Sequence, residues 1–178
     1  MNVYTRKGDD GTTGLFYGGR ARKDSPRVCA VGAVDEAQAA IGVARAEAER
    51  GSDLDDALVA VERDLWVLMA ELATDEANQH KLAPGESLVT PEMVTALEGR
   101  IDEIGSRFEA LTEFVVPGQD RTSALLDLAR AVTRRAERAT LPVVGEGSSA
   151  LAYLNRLSDL LWSLARWQEG LSLTARDA

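Results

Sequence analysis

A chain of 178 residues is long enough to bury a core without disulfide or metal staples, and we read it as a single domain. The net charge of -9 excludes a general polyanion binder, because nucleic-acid affinity rests on many cationic phosphate contacts. With 45% hydrophobic but only 5% aromatic residues, and alanine and leucine recurring throughout, the composition predicts an all-α fold packed by aliphatic side chains.

Cys29 is the sole cysteine, which rules out an intrachain disulfide and a cysteine-rich metal site and suits a reducing cytoplasm. The start "MNVYTRKGDD" has no apolar signal core, and no stretch reaches roughly eighteen uninterrupted apolar residues. Neither export nor a membrane span is predicted.

Residues 5 to 20, "TRKGDDGTTGLFYGGR", carry five glycines and little periodicity, so a glycine-rich loop arm is expected over 1–26. The helical bundle then occupies 27–170 and a short tail 171–178. Past Pro26, Val34, Ala37, Ile41 and Ala44 keep helical spacing, predicting a first helix from Arg27 to Arg50. Leu54, Leu58, Val61, Leu65, Leu68 and Leu72 alternate steps of four and three, the seam of a second helix.

"ANQHKLAPGES" interrupts the pattern, and Thr90-Pro91 offers a cap and a first-turn proline for a third helix. Its stripe is Val94, Leu97, Ile101, Ile104, Phe108 and Leu111, followed by "FVVPG" as a short buried connection. A fourth helix is expected from Thr122 to Ala139 and, after "GEGSS", a fifth from Ala150 to Gly170. Five helices with short connections predict an antiparallel bundle.

On the fourth helix, at about 100° per residue, Arg130, Arg134 and Glu137 share a side opposite Leu125, Leu128, Val132 and Ala136. Solvated surface laced with weak intrahelical ion pairs is the ordinary explanation of a charged face. Arg130 and Arg134, one turn apart, nonetheless repel unless an anion lies against them, and a guanidinium fork grips phosphate or carboxylate through two hydrogen bonds. The fifth helix has a second polar stripe of Asn155, Asp159, Trp162 and Arg166. Asn155 can both donate and accept, which suits a ribose or an adenine.

In the arm, Arg6, Lys7 and Lys23 bring charge, Gly8, Gly11 and Gly14 expose amides, and Thr12 and Thr13 offer hydroxyls. "GDDGTTG" lacks the order of a Walker A loop. His80 has no second histidine beside it, and the inward E-x-x-H pairs of a diiron bundle are missing from the sequence. Cys29, Trp66 and Trp167 read as packing residues, and Trp162 as bordering an interface.

Four separated blocks, "YTRKGDDGTTGLF" with Lys23 downstream, "VGAVDEAQAAIG", "FVVPG" followed by "ARAVTRRAERA", and "YLNRLSDLLWSLAR", resemble the PduO-type ATP:cob(I)alamin adenosyltransferases. That resemblance implies a homotrimer of five-helix bundles that transfers the 5′-deoxyadenosyl group of ATP to the cobalt of cob(I)alamin, with Mg2+ accompanying the nucleotide. Carried over by motif, Thr5, Arg6, Lys7, Gly8, Thr13, Gly14 and Lys23 surround the triphosphate from one subunit. Arg134, Arg135, Glu137, Arg138 and Asn155 approach it from the next.

By the same resemblance Asp35 pairs across the interface with Arg130, and Phe114 closes the lower axial side of the corrin. Metal ligands are left unassigned. Gln119-Asp120 and Asp127 depart from the family pattern near the corrin side, where a histidine is frequent at the position of Asp127. The implied partners are the two substrates, a reductase and an adenosylcobalamin-dependent client enzyme. The alternative is a module that binds and delivers adenosylcobalamin in response to ATP without turnover.

Overall fold

The computed structural model describes residues 4–109 and 111–176, so the first three residues of the arm and the last two of the tail lie outside the described residues. The chain is mostly helical with one two-stranded sheet: β1 (Thr12–Gly14), β2 (Arg20–Arg22), α1 (Pro26–Arg45), α2 (Asp53–Leu72), a 3-10 helix (Glu76–Lys81), α3 (Pro91–Gly105), α4 (Arg121–Thr140) and α5 (Ala150–Glu169).

The first four α-helices begin where the N-cap side chain can take up an orphan amide. Ser25, Ser52, Thr90 and Asp120 cap α1 to α4, accepting from Val28, Asp55, Met93 and Ser123 respectively. Ala30, Val34, Ala37, Ile41 and Ala44 form the buried face of α1, and all six apolar seam residues of α2 are buried. α4 packs against α1 and α5, while α3 packs against α5 and α2 against α1.

Several expectations need correction. α1 stops at Arg45 rather than Arg50, because Glu47 and Ala48 bond back three residues and tighten the chain into turns. Gly51 then reverses direction at φ 74°, its amide and the Arg45 guanidinium both donating to Asp55. α3 ends at Gly105, where the Ser106 hydroxyl donates to the Glu103 carbonyl at 2.7 Å. Phe108 therefore packs from a turn, edge-on to Trp162 with centroids 6.0 Å apart.

The "FVVPG" connection is not buried, and Phe114 is 88% exposed. Its backbone is satisfied by the tail: Val116 N–H donates to the Leu173 carbonyl and Ala175 N–H to the Phe114 carbonyl, both at 2.8 Å. Val115 and Thr174 form the bridge between them, so the alternating side chains Phe114 and Val116 point outward. Leu128 is also exposed, since the core face of α4 is Leu126, Ala129, Thr133, Ala136 and Thr140. Cys29 and Trp66 likewise lie off the buried faces of α1 and α2. Arg166, expected on the second polar stripe of α5, is buried.

The ends of the helices define two poles. At one, the Arg27 guanidinium donates to the Leu72 and Thr74 carbonyls at 2.7 Å each, and buried Glu71 accepts from Val89 N–H and the Ser148 hydroxyl. At the other, Arg121 pairs with Glu47 at 3.1 Å. α1, with 20 residues, separates the poles by about 30 Å. Among the described residues, no helix is long and apolar enough to cross a membrane.

Candidate active site

The arm is built as a hairpin, with Thr12, Thr13 and Gly14 of β1 opposite Arg22, Ala21 and Arg20 of β2. It docks at the first pole, where Phe16 N–H donates to the Ala73 carbonyl and the Tyr17 and Ser87 hydroxyls lie 3.2 Å apart. Asp10 accepts both the amide and the hydroxyl of Thr12, which holds its carboxyl below the usual carboxylate range.

Arg20, which the sequence reading did not single out, ties this loop together. Its guanidinium donates to the Lys7 carbonyl at 2.6 Å and to the Thr12 hydroxyl, and lies 3.6 Å from Asp10. The Thr12 hydroxyl is thus committed to the loop itself. Arg6 sits at φ 58° with its guanidinium over the Tyr4 ring, a left-handed position that turns the arm sharply. Thr5, Lys7 and Lys23 are exposed, and the Lys23 amine lies beside Gly8.

The charged helix face divides. Arg134 and Arg138 are exposed and, among the described residues, engaged by no ion pair or hydrogen bond. Arg135 pairs with Glu36 of α1 at 2.5 Å. Asn155 reaches across from α5 to donate to Glu137 at 3.4 Å and accepts from Arg156 at 2.7 Å. Asp35 is exposed on α1, and within the chain Arg130 bonds Asp127 instead.

At the second pole a cavity of about 490 Å³ opens between the Phe114 connection, the first turns of α4 and the last turns of α5. Phe114 and Val115 supply an apolar rim, while Asp127, Arg130, Trp162 and Arg166 line the inner wall. The sequence blocks marked Phe114 and Arg130, but the buried pair of Asp127 with Arg166 spans 39 residues and leaves no periodic trace. The arm and this cavity lie at opposite poles of one chain, separated by the length of α1.

The cobalamin adenosyltransferase family model matches residues 3–168. This chain belongs to that family. It is 42% identical over 170 residues to a corrinoid adenosyltransferase of Citrobacter freundii, covering 94% of each. A PduO-type ATP:corrinoid adenosyltransferase of Lactobacillus reuteri, carrying a phenylalanine-to-alanine substitution and complexed with cobalamin and ATP, superimposes with a TM-score of 0.86 at 26% identity, covering 98% of this chain and 99% of that one. An arginine-to-lysine variant of that enzyme, complexed with ATP, gives 0.85 at 27% identity over 98% of this chain and 100% of that one.

In this member of the cobalamin adenosyltransferase family, the cavity at Phe114 and the polar arm differ in chemistry. The first is apolar at its rim and lined within by two guanidiniums. The second combines cations with amides that glycines leave open.

Proposed function

We propose that the protein transfers the 5′-deoxyadenosyl group of ATP to cob(I)alamin, at sites completed between copies of an antiparallel five-helix bundle assembled as a homotrimer. The observation that carries this reading is the separation of the arm from the Phe114 cavity by the length of α1, in a member of the cobalamin adenosyltransferase family. A nucleotide in the arm of one subunit meets a corrinoid in the cavity of the next.

In this reading Thr5, Arg6, Lys7, Gly8, Thr13, Gly14 and Lys23 cradle the triphosphate, and Arg134, Arg135, Glu137, Arg138 and Asn155 close on the nucleotide from the neighbour. The cobalt lone pair of cob(I)alamin attacks the 5′ carbon, a Co–C bond forms, and the C–O bond breaks with its electron pair leaving on triphosphate. Cobalt is formally oxidised from Co(I) to Co(III). Guanidiniums beside the departing chain lower the barrier because its negative charge grows as the bond breaks. The grip also holds the 5′ carbon in line with the metal. No proton transfer is required.

Phe114 walls the lower face of the corrin, excluding water and a lower ligand so that the Co(I) state is reached more easily. Asp35 pairs with Arg130 of the adjoining subunit and fixes the joint between the two half-sites. Among the described residues, no group of three or more His, Cys, Asp or Glu side chains gathers to hold a metal. Mg2+ carried by triphosphate oxygens and water needs no such cage, so the residues present fit a nucleotide-borne ion. A cytoplasmic setting, a reductase and an adenosylcobalamin-dependent client complete the reading.

The test is steady turnover of chemically reduced cobalamin and ATP, followed by loss of the cob(I)alamin absorbance and release of triphosphate. Intact ATP binding without turnover assigns the delivery role instead.

A further inference from the structure

The cavity wall contains a charge arrangement that the adenosyl-transfer chemistry does not use. Asp127, 6% exposed, and Arg166, 2% exposed, form an ion pair between α4 and α5, and Arg166 Nε lies within ion-pair distance of Glu169 at 3.1 Å. The Arg166 guanidinium also stands 5.8 Å from the Trp162 ring, itself braced by Phe108. Asp127 gives one oxygen to Arg166 and the other to Arg130 Nε, at 3.3 Å. Among the described residues neither terminal nitrogen of Arg130 has a hydrogen-bond partner.

We propose that Asp127 and Arg166 are a positioning pair that holds Arg130 at the wall of the corrinoid cavity with its terminal nitrogens kept for Asp35 of the adjoining subunit. A carboxylate alone beside Arg130 would take up its fork through two bonds and cancel its charge. Shared with a second, immobile guanidinium, Asp127 holds Arg130 only at Nε and leaves both terminal nitrogens without a hydrogen-bond partner among the described residues. Burial of Arg166 fixes the geometry, since its side chain cannot leave without stranding a desolvated carboxylate. Glu113, on the connection, is the remaining charged group lining the cavity, and it is occupied by Arg176 at 2.9 Å.

This inference rests on the reading that the cavity receives the corrinoid. The experiment therefore begins with the unmodified protein, measuring turnover and, separately, cob(II)alamin binding by absorbance. Failure of both sinks the functional reading and the positioning role with it. Asp127→Ala removes both oxygens and Asp127→Asn keeps one acceptor for Arg130, while Arg166 retains Glu169 in each.

A misaimed group at a reacting centre costs roughly tenfold or more, so KM for cobalamin is expected to rise about tenfold in Asp127→Ala and less in Asp127→Asn. KM for ATP stays within about twofold in both. If Asp127→Ala does not fold, the triple variant Asp127→Asn, Arg166→Met and Glu169→Gln removes the whole buried cluster without leaving a charge alone, and the same split between substrates is expected. A folded variant with unchanged cobalamin kinetics, or with equal losses toward both substrates, overturns the proposal.

Discussion

A Cβ on Gly8 would stand 3.2 Å from the Lys23 amine and 3.1 Å from the Thr12 carbonyl. The carbonyl belongs to β1, which is paired to β2 and cannot retreat, so the displacement falls on Lys23 and on the loop that Arg20 fastens. Gly8→Ala is expected to raise KM for ATP about tenfold with little change in kcat, since the cradle loosens without loss of the groups that meet the transition state. Initial-rate kinetics at saturating cobalamin decide it. Unchanged KM for ATP removes Gly8 from the phosphate cradle.

Arg134 is exposed in the single chain, between Arg130 and Arg138 on successive turns of α4. Three cations so placed repel one another, and an anion docked against them relieves the repulsion. Arg134→Ala is expected to lower kcat about a hundredfold, the usual loss when one donor to developing negative charge is removed. Sedimentation should find the variant in the same oligomeric state as the parent. Near-normal kcat in that state takes Arg134 out of the reaction.

The helices were legible because their signals are local. Thr90 followed by Pro91 marked the start of α3, and the four-three spacing from Leu54 to Leu72 marked the buried face of α2. What escaped depends on partners far along the chain. The outward turn of Phe114 follows from backbone pairing with Leu173 and Ala175, which no periodicity records. Cys29 and Trp66 were misplaced for a different reason: an apolar residue type does not say which helix face it occupies when the adjoining positions are apolar too. Within the candidate site, motif blocks brought Arg130 and Phe114 to notice, whereas Arg20 and Arg166 gained their roles only through tertiary contacts.

Asp64 supplies a pH signature away from the proposed chemistry. Burial raises its pKa above the ordinary value, opposed by the hydrogen bond it accepts from the fully buried Tyr153 hydroxyl at 2.9 Å. Because the folded-state pKa is the higher one, stability from this group is complete below its unfolded value of 3.8 and declines as pH rises through the folded value. Asp64→Asn keeps an acceptor for Tyr153 and removes the charge. At neutral pH it should raise Tm by about 1 °C, a small figure because the site is only half-buried, and the gain should vanish near pH 3.5 to 4. A constant difference across that range assigns the effect to packing.

Phe114 is the largest test of the corrinoid half-site. Leaving a side chain of that size in water forgoes roughly 1.5–3 kcal/mol of burial, yet the backbone bonds at Phe114 and Val116 hold it outward at the cavity rim. Such a side chain is available to pack against a flat ligand face and to shed the water beneath it. Removing it should matter most where water or a lower ligand opposes reduction of cobalt, and least once the reduced metal is already formed. Phe114→Ala is therefore expected to cut turnover from cob(II)alamin with reductant about a hundredfold, while preformed cob(I)alamin reacts within about tenfold of the parent rate. Equal losses from both starting states leave Phe114 as a general contact and sink its role as the axial wall.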